Sequence, residues 1–278
     1  QVQPPRDPPH HRVQRHVEAQ HVGERAHDRP DVETQHVDRH RRRELVGDVA
    51  VEFRAQAFDV AQTIVCGREL FDLRLPKNYR EGTPHGLFIW ISASDKPSIP
   101  AEWEAVFDEK KLIFIGAHRS GNPRSVFDRV RLAIDANFNV RKIANVDPAR
   151  VIVSGFSGGA RVASMLGVCY ADIFPATICC MGVNFYTDVA TPDGKQTFGL
   201  GYLPHEDFVK MAKAGCRYVL ITGEKDFNLP NTQAVFTNGF QKEGFKAVEM
   251  LNIPGQGHSP PKADWLKKAV EFIDKPSE

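Results

Sequence analysis

Gly155-Phe156-Ser157-Gly158-Gly159 sets one serine among glycines, directly after a β-branched run of strand character (150–154) and directly before a small-residue segment of helical character (160–169). A strand-to-helix turn of this kind carries its serine at the tip, with glycines beside it because a Cβ would clash there. It also presents the hydroxyl to a helix N-terminus, whose free N–H groups favour a developing oxyanion. A serine hydroxyl is a poor nucleophile at neutral pH until a base takes its proton, and that base must be oriented by a carboxylate. Only two histidines follow Ser157. His258 lies in the Gly-rich loop Pro254-Gly255-Gln256-Gly257-His258-Ser259-Pro260, past the last strand-like segment, whereas His205 stands beside Pro204 where a helix begins. A loop at the carboxyl end of a strand is where an open α/β sheet places catalytic groups, so His258 is the expected base. Asp226, in Gly223-Glu224-Lys225-Asp226-Phe227-Asn228 beyond the segment 218–222, is the expected acid; Glu224 competes but falls closer to the strand end. The order Ser157, Asp226, His258, with gaps of 69 and 32 residues, sets each group after its own strand and points to acyl transfer.

Such groups need a scaffold that gathers strand ends. From residue 69 onward, apolar runs of strand length alternate with segments of helical period, which predicts an α/β fold: a mostly parallel sheet covered by helices on both faces. The segment 69–75 alternates and ends at Pro76, as an edge strand would, while 87–92 is continuously apolar, as a buried central strand would be. Further strands are expected at 112–117, 176–183, 218–222 and 248–253. A helix over 125–139 is expected to bury Val126, Val130, Ala133, Ile134 and Phe138, and a last helix over 262–273 to bury Trp265, Leu266, Ala269, Val270 and Ile273. The stretch 184–206 is too short for a helical cap domain, which predicts an open site. His118, at the end of 112–117, is expected to hydrogen-bond at the surface; His85 reads as a turn, and Trp90, Trp103 and Trp265 as core or rim.

This pattern resembles the α/β-hydrolase superfamily over nearly all of residues 69–274. Within it, Asp147-Pro148-Ala149-Arg150-Val151-Ile152-Val153-Ser154-Gly155-Phe156-Ser157-Gly158-Gly159, followed by Tyr170-Ala171-Asp172-Ile173-Phe174, is similar to esterases related to polyhydroxybutyrate depolymerases and feruloyl esterases. The resemblance implies a carboxylic-ester hydrolase with an acyl-enzyme intermediate on Ser157, proton transfer by His258 and orientation by Asp226. It implies a small-molecule or polymeric ester as partner, with no metal and no organic cofactor. Those families carry His-Gly after their third strand, whereas this chain reads Ile91-Ser92-Ala93-Ser94. Matching strand to strand sets the backbone N–H groups of Ser94 and Gly158 as the oxyanion donors. A lost donor costs about two to three orders of magnitude in rate. The triad alone leaves a serine peptidase of the same fold open, and the irregular 92–94 loop leaves a catalytically silent hydrolase-fold binding protein open.

Composition divides the 278 residues near position 62. Residues 1–62 hold ten Arg and no Lys, seven of the eleven His, no Ile and the single Leu45, too few large apolar side chains to offset the entropy of ordering. They are expected to be disordered, or a non-native extension read from GC-rich DNA from a misassigned start, with the catalytic domain at 63–278. The seven His lack the tight spacing of a metal site. Over the whole chain 36 Lys and Arg meet 35 Asp and Glu, so no basic field exists to attract nucleic acid. No apolar run reaches the roughly eighteen residues of a membrane span, and no signal-peptide pattern appears. The expectation is a soluble protein, cytoplasmic or secreted, of open oligomeric state. Five cysteines, two of them adjacent in an apolar run, predict buried free thiols.

Overall fold

All seven residues of His85–Ile91 are buried, the mark of a strand covered on both faces. Leu87, Ile89 and Ile91 enter one core layer while Phe88 and Trp90 enter the other, because side chains alternate across the pleat. The computed structural model describes residues 62–66 and 68–276, and the expectations for residues 1–61 lie outside the described residues. One sheet is formed by β1 (Gln62–Cys66), β2 (Glu69–Arg74), β3 (His85–Ile91), β4 (Leu112–Ala117), β5 (Val146–Phe156), β6 (Ala176–Cys180), β9 (Arg217–Gly223) and β10 (Ala247–Ile253), with β7 (Val189–Ala190) and β8 (Thr197–Phe198) as a separate ribbon. The spatial order is β1-β2-β4-β3-β5-β6-β9-β10. From β4 to β10 every pairing is parallel; β2 runs antiparallel to both of its neighbours.

Helix α1 (Trp103–Glu109) and the last helix, α6 (Ala263–Ile273), cover one face, where Trp103, Phe107, Leu266 and Val270 meet Phe88, Phe114 and Val219. Helices α2 (Val126–Ile143) and α3 (Gly158–Cys169) cover the other, with Leu132, Ala136, Val162 and Leu166 against Ile89, Ile113 and Val153. The mostly parallel sheet with helices on both faces is therefore observed. Helix α4 (Glu206–Gly215) follows the β7–β8 ribbon, and α5 (Leu229–Ala234) continues into a π-helical stretch, Val235–Gln241. Residues 184–205 hold the ribbon and no helix.

Three local expectations are corrected. Strand β2 is not an edge: β1 pairs along its free side, from Gln62 opposite Leu73 to Cys66 opposite Glu69. The buried face of α2 carries Arg129, Leu132, Ala133, Ala136 and Val140, whereas Val126 and Phe138 are 41% and 37% exposed. Its face is turned because the Arg129 guanidinium goes inward to the Ser92 carbonyl at 3.0 Å, and the small Ala133 and Ala136 let the helix approach the sheet. Strand β6 ends at Cys180, not 183, because Met181 takes φ 58° and breaks the extended run. Cys169, Cys179, Cys180 and Cys216 are free thiols, and burial pushes the Cys180 thiol up to about 12. No helix among the described residues is long and apolar enough to cross a membrane.

Candidate active site

Strand β5 delivers Ser157 at φ 55° and ψ −118°, a conformation that L-residues rarely adopt and that stores on the order of 1–3 kcal/mol. The surroundings hold it there. Its N–H donates to the Cys180 carbonyl at 2.9 Å, and its carbonyl accepts the Arg161 N–H at 3.2 Å. A Cβ on Gly155 would meet the Ile91 carbonyl at 2.7 Å, and one on Gly159 would run into the same oxygen, so the elbow packs directly on the end of β3. The strand–Ser–helix turn has the form expected from its glycines.

His258 Nε2 lies 2.9 Å from Ser157 Oγ, and His258 Nδ1 lies 2.9 Å from Asp226 Oδ1. A carboxylate accepts only, so Nδ1 carries the proton toward Asp226 and Nε2 is left to accept the serine O–H. The Asp226 side chain is fully buried and the imidazole is 21% exposed. Asp226 Oδ1 also accepts the Asn228 N–H at 3.0 Å, and the Thr222 hydroxyl approaches Oδ2 at 3.5 Å. Asn228 is fixed in turn by the Met181 carbonyl and by Arg161 Nη2, at 2.8 and 2.9 Å. Burial lowers the Arg161 pKa, and the Asp226 charge acts against that shift. Phe156 and the 74% exposed Phe227 flank the imidazole, with centroids 5.0 and 4.2 Å away.

No family model and no curated protein matches the sequence. Solved structures do match in fold. Est1E from Butyrivibrio proteoclasticus aligns with a TM-score of 0.54 at 20% identity, over 77% of this chain and 99% of its own. A serine-to-alanine mutant of the feruloyl esterase module from Clostridium thermocellum, complexed with sinapinate, aligns at 0.55 and 13%, over 77% and 85%. Thermogutta terrifontis esterase 2 phosphonylated by sarin aligns at 0.52 and 15%, over 79% and 94%. The chain has the α/β-hydrolase fold.

Within this α/β-hydrolase scaffold the competing side chains lie elsewhere. Glu224 Oε2 accepts the Gly255 N–H at 2.7 Å and braces the loop that carries His258. His205 caps α4, accepting the Asp207 N–H at 3.3 Å. His118 Nε2 meets Asp72 Oδ1 at 2.7 Å on the β2 side of the sheet. His85, read from sequence as a turn, is the buried first residue of β3, its Nδ1 2.7 Å from the Thr83 carbonyl. Trp90 and Trp103 are buried in the core, and Trp103 Nε1 donates to the Pro261 carbonyl at 2.8 Å; Trp265 is half-buried.

The side of the elbow where the oxyanion donors are expected is built differently. Gly158 opens α3, so its N–H has no partner within the helix. The Ser94 N–H donates to Ser92 Oγ at 3.1 Å and is committed within its own loop. Two backbone bonds strap that loop to the one after β4: Arg119 N–H to the Asp95 carbonyl at 2.6 Å and Asn122 N–H to the Ala93 carbonyl at 3.0 Å. Sequence reasoning missed Arg161, Asn228 and Asn122. Arg161 and Asn228 left no signal, because the Val183 and Met181 carbonyls they bond, and each other, lie 22 to 67 residues away along the chain. Asn122 left one: Gly158, a second glycine at the free position of Gly-x-Ser-x-Gly, where the elbow itself asks for none.

Proposed function

We propose that this protein is a serine carboxylic-ester hydrolase. The observation that carries the reading is the pair of 2.9 Å contacts that put His258 between Ser157 Oγ and Asp226 Oδ1. The esterases among the structures of like fold support it. Ser157 Oγ attacks the ester carbonyl carbon as His258 Nε2 takes its proton, while Asp226 holds the imidazolium. The oxyanion forms against the Gly158 N–H, with the Ser94 N–H joining once it leaves Ser92 Oγ. Collapse breaks the bond to the leaving alkoxide, which His258 protonates, and the acyl group remains on Ser157. Water, deprotonated by His258, then releases the acid and restores the serine. Neither half calls for a metal or an organic cofactor. With only a short ribbon and no cap helix between residues 184 and 205, bulky and polymeric esters fit the reading.

The test is fluorophosphonate labelling and a nitrophenyl-ester panel on wild type and Ser157→Ala. Labelling in wild type, its loss in the variant and a fall in turnover of roughly 10⁴-fold or more are expected. Unchanged esterase activity in Ser157→Ala overturns the reading. Cleavage of peptide substrates with none of esters turns it toward a peptidase, and a folded protein that neither labels nor turns over turns it toward a silent binding protein.

A further inference from the structure

In a Gly-x-Ser-x-Gly elbow the residue after the serine is free to carry a side chain. Here that space is already occupied. A Cβ on Gly158 would run into Asn122 Oδ1, with Asn122 Cγ at 2.8 Å and Nδ2 at 3.0 Å. Glycine at 158 leaves a place, and a carboxamide from another strand end fills it, beside the N–H that is the expected oxyanion donor.

The root of that carboxamide is fixed while its tip is free. Asn122 N–H is held by the Ala93 carbonyl at 3.0 Å. Two residues on, the Arg124 guanidinium grips Glu69 through two bonds of 2.6 and 3.1 Å and ties the segment to β2. The Asn122 side chain is exposed and makes no hydrogen bond among the described residues. Its oxygen and nitrogen ends have the same outline, so a half-turn about the Cβ–Cγ bond presents Nδ2, with two N–H donors, in place of Oδ1. In the loop opposite, the Ser94 N–H, the donor expected there, is taken by Ser92 Oγ at 3.1 Å.

We infer that Asn122 is a catalytic residue of the proposed reaction: its side-chain Nδ2–H donates to the ester carbonyl oxygen as that atom becomes the oxyanion, beside the Gly158 N–H. The inference rests on the ester-hydrolase reading. No bond is made or broken at Asn122; a neutral donor meets negative charge that is larger in the transition state than in the ground state, so its effect falls on kcat more than on KM.

The experiment measures kcat and KM on a nitrophenyl ester, the fluorophosphonate labelling rate and Tm for wild type, Asn122→Ala, Asn122→Asp, Gly158→Ala and the Asn122→Ala/Gly158→Ala pair. Asn122→Asp keeps the volume and the backbone bond to Ala93 but also brings a negative charge beside the oxyanion, so a loss there counts only together with one in Asn122→Ala, whereas wild-type kcat there excludes the donor even where alanine loosens the loop. A fall in kcat of about 10²–10³-fold in both Asn122 variants is expected, with KM within about threefold and slower labelling of Ser157. Tm stays within a few degrees. Gly158→Ala, which pushes the carboxamide aside, should lower kcat, and adding Asn122→Ala should then change little, because both remove one interaction. Wild-type kcat in Asn122→Asp, or a loss confined to KM, overturns the inference while Ser157-dependent hydrolysis leaves the ester reading standing. A folded wild type that hydrolyses no ester overturns both.

Discussion

On one side of Ser157 stands His258, held by a buried Asp226 that Asn228 contacts directly and Arg161 supports through Asn228. On the other lies the loop after β3, whose Ser94 N–H is turned to Ser92 Oγ, and an exposed Asn122 whose side chain has no partner among the described residues. The first side is fully hydrogen-bonded within the protein; the second is not. On the ester-hydrolase proposal, the difference follows from what each must do. A proton relay works only if its tautomer and distances are set in advance, whereas an oxyanion donor meets its charge only when substrate is bound.

The largest effect that separates the two sides is expected at the acid. Asp226→Asn should let the imidazole take the wrong tautomer and lower kcat by about 10⁴-fold, while Glu224→Gln, which keeps an acceptor for the Gly255 N–H and loses only the charge, should stay within about threefold. Equal losses in ester-hydrolysis assays of the two variants would break the assignment of the relay side. A smaller effect is expected where the elbow meets β3. Gly159→Ala sets a Cβ against the Ile91 carbonyl, a backbone atom that cannot swing away, and should destabilise the fold by about 1–3 kcal/mol in urea titration. An unchanged midpoint would show that the elbow is not clamped on that strand.

The smallest is expected at Glu69, on the oxyanion side. The hydrogen bond from Arg124, more than any other neighbour, holds the Glu69 carboxyl below its ordinary 4.5. Its folded value lies below its unfolded one, so its stabilisation is present above about pH 4.5 and is lost as pH falls through the folded value. Glu69→Gln should therefore lower stability by about 1 kcal/mol or less at pH 7, with the gap closing in strong acid. A gap that stays constant down to acid pH would mean that shape and not charge ties the Asn122 segment to β2.

What could be read in the chain follows the same division. Ser157, Asp226 and His258 stood out because each is placed just after an apolar run, Ser157 lies among glycines and only two histidines follow it. The central strands stood out because burial on both faces leaves no polar residue in Leu87–Ile91. The oxyanion side left little trace: backbone N–H groups carry no residue identity, and an asparagine between Gly121 and Pro123 has the composition of an ordinary turn. The face of α2 was misread because Arg129 is buried through its bond to Ser92, while apolar Phe138 faces outward. Strand β1 was missed as the sheet's edge because it lies at the break in composition, where the preceding sequence has none of the domain's character.

On the ester-hydrolase proposal, Ser157 marks a conflict between durability and reactivity. Its φ of 55° with ψ of −118° is held open by Cys180, Arg161 and the packing on β3, and a glycine in its place would shed roughly 1–3 kcal/mol of backbone strain along with the hydroxyl. A library of this chain sorted for thermal tolerance alone would drift toward Gly at 157, and one sorted for turnover would keep Ser. The most durable form of the fold and its most reactive form are different sequences, and they part at a single residue.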